Sequence, residues 1–194
     1  MSRPLAKRVL DVAVAAPLLI LSSPVFAVVA AAYVGRPFYR EPRISRGRTF
    51  ALIKFRTLRA DVAARAAGHA RLLEADPSNL TWLGRRLLKP WYLDELPQLW
   101  NVLRGDISLV GPRPWPPELV ERQRAEGLTY RDEVPAGLTG LAQLSKGSDK
   151  LYADLDLVYV NRCRTLGSWA LVRYDLEILL RTVSVLARGE GLSY

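Results

Sequence analysis

The chain has 194 residues, with 28 Lys and Arg against 19 Asp and Glu, a formal charge of +9 and a pI of about 10.0. Its single Cys (Cys163) and single His (His69) exclude an intramolecular disulfide, a cysteine-based zinc site and the two-histidine helix of zinc proteases. Any enzyme built from this sequence works with carboxylates, Lys and Arg, and a hard cation. The basic balance points to an anionic partner.

From Val12 to Val34 there is no charged residue. The stretch is about 23 residues long, enough to span a bilayer as one straight helix. A cleaved signal peptide with Lys7 and Arg8 as its basic region is disfavoured by Asp11 and by the length of the apolar run. Arg3, Lys7 and Arg8 precede the run, and Arg36, Arg40, Arg43, Arg46 and Arg48 follow it. Basic clusters at both ends favour keeping both ends in the cytoplasm. Ser22, Ser23 and Pro24 interrupt its middle, where Pro removes a backbone donor and the Ser hydroxyls can satisfy freed groups. The two arms, about eleven residues and roughly 16 Å each, reach about half the hydrocarbon thickness. The expectation is a re-entrant helix–break–helix within residues 1–40, broken at Ser23 and Pro24, with a Pro-kinked single span as the alternative.

Residues 41–194 are expected to form a mainly α catalytic domain with a short β element. Thr49 to Thr57 alternates as a strand, with Lys54 and Arg56 on one face. Asp61 to Glu74 is an Ala-rich helix stopped by Asp76 and Pro77, carrying a solvated His69. Leu93 to Leu103 is amphipathic, with Leu96, Leu99, Trp100 and Leu103 on one face and Pro97 in its first turn. Arg104, Gly105 and Asp106 stop it. Pro116 to Glu126 is a further helix, Pro135 to Gly140 a rigid loop, and Leu151 to Val160 and Leu171 to Leu186 are helices. The last is apolar with Arg173, Arg181 and Arg188 on its edges, a pattern that suits a membrane interface and a soluble core equally.

The chemistry concentrates between Tyr92 and Pro114, YLDELPQLWNVLRGDISLVGPRP. Asp94 and Glu95 are adjacent acids at a predicted helix start, where the macrodipole favours negative charge. An Asp carboxylate is ionised at neutral pH, needs no histidine base, and can attack phosphorus. Mg2+ suits carboxylate and phosphate oxygens. Arg113, set between Pro112 and Pro114, offers a planar fork for phosphate, and Lys54 and Arg56 add positive charge. Asp106 reads as part of the turn.

These residues resemble the bacterial sugar transferase family, the monotopic phosphoglycosyl transferases, in its small form. The resemblance runs over nearly the whole chain: Lys7, Arg8 and Asp11; Ser23 and Pro24; Lys54 to Thr57; the central run; Pro135 to Gln143; and Asp175. It implies transfer of a phospho-sugar from a UDP-sugar to polyprenyl phosphate with release of UMP. It also implies a re-entrant helix in the lipid bilayer, interfacial amphipathic helices and a Mg2+-dependent dyad on the cytoplasmic face of the bacterial inner membrane. Asp94 would be the nucleophile and Glu95 would position metal or acceptor. Arg113 would contact phosphate or nucleotide, Lys54 and Asp175 would complete the polar site, and Asp175 would join Asp94 and Glu95 around the metal. The chain departs from the family pattern at Lys89 and Asn79, where Arg is usual, and Lys89 keeps the charge without the bidentate fork. Between Asp156 and Asp175 the chain looks longer than the family usually is. A lipid-binding adaptor and a polyprenyl diphosphate hydrolase are the alternatives, and nucleic acid is the poorest partner. The sequence leaves the oligomeric state open, a homodimer included.

Overall fold

The computed structural model describes residues 4–64, 73–145 and 152–188. His69 and the centre of the Asp61–Glu74 helix lie outside them. What is described of that helix is one turn, α3 (Ala60–Ala63).

The chain opens with α1 (Leu5–Leu21) and α2 (Ser23–Ala32), bent by 51° at Ser22. The break falls where Ser22, Ser23 and Pro24 predict it. Pro24 sits in the first turn of α2, where its missing N–H costs nothing, and the Ser22 hydroxyl donates to the Leu19 carbonyl at 2.9 Å. The arms are unequal, because α1 extends back through Arg8 and Lys7, well before the apolar run. Among the described residues no single helix is long and apolar enough to cross a membrane.

That early start corrects the reading of Lys7 and Arg8 as membrane-flanking charges: both, with Asp11, are fasteners. Lys7 is buried against Asp175, 2.5 Å away. Arg8 donates to the carbonyls of Val102 (2.6 Å) and Leu103 in the last turn of α4 (Gln98–Arg104), a favoured place for a cation. Buried Asp11 accepts from the Ser108 hydroxyl and the Leu109 N–H, each at 2.9 Å. Ala15 then joins Leu52, Leu99, Val102, Ile107, Leu109, Val110 and Ile178 in one core.

Two strands precede the central run. β1 (Phe38–Ser45) and β2 (Arg48–Phe55) form an antiparallel hairpin turning at Arg46 and Gly47, both left-handed (φ 50° and 74°), as a two-residue primed turn requires. The expectation of one strand over Thr49–Thr57 missed β1. Tyr39 pairs with Lys54 and Glu41 with Leu52, so Tyr39, Glu41, Arg43 and Lys54 share a face.

After α4, β3 (Ser108–Val110) runs parallel to β4 (Gly137–Thr139), with α5 (Pro117–Ala125) between them. A Cβ on Gly137 would come within 2.1 Å of the Gly111 nitrogen, so the two loops can abut only without side chains there. A short turn, α6 (Leu141–Leu144), leads to α7 (Tyr152–Thr165) and α8 (Ser168–Ala187). The latter packs one side into the body and leaves another uncovered. Leu171, Asp175 and Ile178 are buried, while Leu180, Val183 and Trp169 (80% exposed) are not.

Candidate active site

Asp94 does not start an α-helix. It lies on a 3-10 turn, Leu93–Glu95, entered through Tyr92 in the left-handed region (φ 53°) and followed by Pro97, which begins α4. Pro97 lacks an N–H and so cannot continue a helix started at Leu93; the predicted helix therefore splits in two. Trp100, placed by periodicity on the apolar face, is half exposed, whereas Leu99 is buried.

The turn drives Asp94 inward to 1% exposure. Lys89 Nζ lies 3.2 Å from Asp94 Oδ2, while Oδ1 is buried with no hydrogen-bond partner among the described residues. Burial pushes the carboxyl up to about 6; Lys89 opposes the shift, Glu95 adds to it, Lys54 opposes it and Glu74 adds to it. The group is still mainly ionised at neutral pH. A buried, half-partnered carboxylate is a costly arrangement for folding and a useful one for attack.

Lys89 follows a π-helical turn, Gly84–Leu88, packed against the exit of β2. A Cβ on Gly84 would stand 2.6 Å from the Thr57 carbonyl, so glycine is what lets this turn close on Thr57. Lys89 Nζ also reaches Glu74 Oε2 at 2.5 Å, and Thr57 Oγ1 donates to Glu74 Oε1 at 2.5 Å. Beyond Asp94, Lys54 Nζ is 3.8 Å from Glu95 Oε1 and 3.7 Å from Glu41 Oε1, and Glu41 Oε2 holds Arg43 at 2.8 Å. Asn101 fixes this spacing by accepting from Ile53 N–H (3.0 Å) and donating to Ala51 (2.9 Å) and Asp106 (2.9 Å). Asp106 is thus part of the turn after α4.

Arg113 stands on the loop after β3. Its carbonyl accepts from Arg131 at 2.8 Å, and Arg131 pairs with buried Asp156 at 2.5 Å and stacks on Trp115 at 4.1 Å. Ile44 N–H donates to the Trp115 carbonyl at 3.0 Å, bringing Arg43 towards Arg113. The positive charge of Arg113 helps, after burial, to lower the Arg43 pKa.

The fold therefore draws Lys54, Lys89, Asp94 and Glu95 together and lines the Arg113 loop up with them through Arg43 and Glu41. Arg56 is turned to the Tyr33 ring, its guanidinium 4.9 Å from the centroid, with Nε buried and unpartnered. Asp175 stands in a different group. Its Oδ2 takes Lys7 and its Oδ1 accepts from the Tyr159 hydroxyl at 2.9 Å, the contacts of a fastener for α1. Ser23 and Pro24 lie at the helix break. Glu41, Arg43 and Glu74 were missed from sequence; Ser45-Arg46-Gly47-Arg48 signalled the hairpin that carries the first two.

No three His, Cys, Asp or Glu side chains among the described residues form a metal cage. Mg2+ commonly needs none, since one or two carboxylates and substrate phosphates suffice. Asp94, with its bare Oδ1, and the neighbouring Glu95 fit that mode.

A sequence model described as bacterial sugar transferase matches residues 2–189. An uncharacterized sugar transferase of Haemophilus influenzae is 34% identical over 98% of this chain and 43% of its own length. Exopolysaccharide production protein ExoY of Rhizobium meliloti is 35% identical over 96% of this chain and 88% of its own. The UDP-glucose:undecaprenyl-phosphate glucose-1-phosphate transferase of Caulobacter vibrioides is 37% identical over 92% and 68%. The chain thus spans less than half of the Haemophilus protein and most of ExoY.

Proposed function

Because this chain belongs to the bacterial sugar transferase family, we propose that it transfers a phospho-sugar from a UDP-sugar to polyprenyl phosphate at a membrane surface. The observation that carries the reading is Asp94: buried, mainly ionised at neutral pH, and with one carboxylate oxygen bare.

In the first step Asp94 Oδ1 attacks the sugar-bearing phosphorus of the donor. The bond between that phosphorus and the bridging oxygen breaks, and UMP leaves with the electron pair. In the second step a polyprenyl phosphate oxygen attacks the same phosphorus. Asp94 departs as carboxylate, and the product is a polyprenyl-diphosphate sugar. Two displacements with carboxylate as both nucleophile and leaving group require no base. Mg2+ held by Glu95 and the donor phosphates beside Asp94 would neutralise phosphate charge and leave Asp94 Oδ1 open. Lys89 and Lys54 orient the carboxylates, while Arg113 and Arg43 offer guanidinium groups to the donor phosphates.

The membrane part of the reading rests on where the helix pair ends. The start of α1 is fastened by Lys7 and Arg8, and the end of α2 docks through Tyr33, whose hydroxyl meets the Thr81 hydroxyl at 2.5 Å. Both ends meet the body that carries Asp94, which supports a re-entrant pair dipping into one leaflet from the cytoplasmic face. The exposed apolar residues support the same surface: Ile20, Leu21 and Val28 on the pair, Val34 just beyond it, Leu180 and Val183 on α8, and four of five tryptophans (Trp82, Trp91, Trp100, Trp169).

Purified protein given a panel of UDP-sugars, polyprenyl phosphate and Mg2+ should release UMP with at least one donor and stop in EDTA. An adduct heavier by one phospho-sugar should be seen by intact mass in wild type and be absent from Asp94→Asn. An adduct surviving that change removes Asp94 as nucleophile. For topology, cysteines at both flanks should label from the same side, and Pro24→Leu should move one of them.

A further inference from the structure

Glu74 has no part in the scheme above, yet it is one bond from its centre. The Lys89 ammonium is a compact charge on a flexible four-carbon stem with three donors and no fixed fork. Left beside a buried carboxylate alone, such a group can swing across both oxygens and cover the one that must attack. Here it cannot swing freely. Glu74 Oε2 takes Lys89 Nζ at 2.5 Å on one side, and Asp94 Oδ2 lies 3.2 Å away on the other.

Glu74 is itself fixed. Its Oε1 accepts from Thr57 Oγ1 at 2.5 Å, and Thr57 is buried where β2 ends. The Thr57 carbonyl in turn accepts from Thr81 N–H at 2.8 Å and from the Thr81 hydroxyl at 3.1 Å. Each Glu74 oxygen thus has a partner, one anchoring it to the scaffold and one holding Lys89. The Glu74 side chain is 12% exposed, too enclosed for water to hold the ammonium as firmly.

We infer that Glu74 is a positioning residue that holds the Lys89 ammonium against one oxygen of Asp94, leaving the other oxygen to attack phosphorus. It touches neither substrate nor reacting atom and acts through Lys89. The inference rests on the transferase reading and goes beyond it by giving a role to a residue outside the central run.

The test is a double-mutant cycle on the full chain in detergent, following adduct formation and UMP release in a single turnover. Glu74→Gln keeps the volume and a group for Thr57 to meet but removes the charge that holds Lys89. It should slow adduct formation about tenfold, with donor KM within about twofold of wild type. Lys89→Met should slow it at least as much, and the double variant should be no slower than Lys89→Met alone. A role confined to folding would lower the melting temperature and leave the rate per folded molecule unchanged. A wild-type rate in Glu74→Gln, or full multiplication of the two losses in the double variant, overturns the inference. If Glu74→Gln does not fold, Thr57→Val serves in its place. It should show about a threefold loss that vanishes in the Lys89→Met background, and an unchanged rate overturns the inference equally. Wild type that forms no adduct with any UDP-sugar overturns the transferase reading itself, and Glu74's role falls with it.

Discussion

Among the described residues two buried lysine–aspartate pairs stand out, and they are built to opposite ends. Lys7 and Asp175 stand 2.5 Å apart, and the second Asp175 oxygen is taken by Tyr159. Lys7 also donates to the Tyr159 hydroxyl at 2.9 Å and the Val110 carbonyl at 3.0 Å. Lys89 and Asp94 stand 3.2 Å apart, Lys89 is shared with Glu74, and one Asp94 oxygen has no partner. The first pair repays its desolvation with hydrogen bonds and fixes a helix; the second leaves a charge underused. Residue type and burial do not separate a fastener from a carboxylate left open to a ligand. The count of satisfied oxygens does.

The comparison can be broken most directly at the two aspartates. Asp94→Asn should lower UMP release by about three orders of magnitude or more, read from a quenched-flow assay, while the protein stays folded. Comparable loss from Asp175→Asn in protein that melts like wild type would erase the distinction. Next in size, Lys7→Met takes the neutralising cation from buried Asp175 and should cost about 3–5 kcal/mol in denaturant unfolding. Replacing both, as Lys7→Met with Asp175→Leu, should recover most of that loss.

Asp94 should show the reverse sign. Its folded pKa of about 6 lies above the ordinary 3.8, so the folded state binds more protons between these values, and this residue adds stability as pH falls through 6. In metal-free protein Asp94→Asn should therefore be more stable than wild type at pH 7.5 by about 3 kcal/mol, at about 1.4 kcal/mol per unit. The gap should close by pH 4. A gap independent of pH would show that Asp94 is no more strained than Asp175. Smallest of the set, Arg8→Ala frees two carbonyls of α4 and should cost about 1.5–3 kcal/mol. Its effect on adduct formation should be slight.

The parts legible in the sequence were those where local chemistry decides. Pro24 with its serines marks the helix break, Pro112 and Pro114 stiffen the Arg113 loop, and Gly105 with Asp106 ends α4. The convergence of Lys54, Lys89, Asp94 and Glu95 followed from motif and charge. The illegible parts depend on distant partners. Lys7 and Arg8 read as a basic flank because their partners lie 94 to 168 positions along the chain. Glu74 and Glu41 are ordinary acids until the fold brings Lys89 and Lys54 to them. Tyr92 bears no mark of its left-handed backbone, and Pro97 alone hinted that the helix begins later than periodicity suggests.

The fastening of α1 also orders events during synthesis. Lys7 leaves the ribosome before its partners Val110, Tyr159 and Asp175, which follow 103, 152 and 168 residues later. At about 5–20 residues per second, the first helix waits on the order of ten seconds for the last of them. During that interval the apolar half of α1 and all of α2 can meet lipid while the charged half has nowhere to dock. If the pair enters lipid as proposed, it does so before the body exists to hold it, and nascent chains stopped short of Asp175 should be membrane-bound with α1 unseated and protease-sensitive.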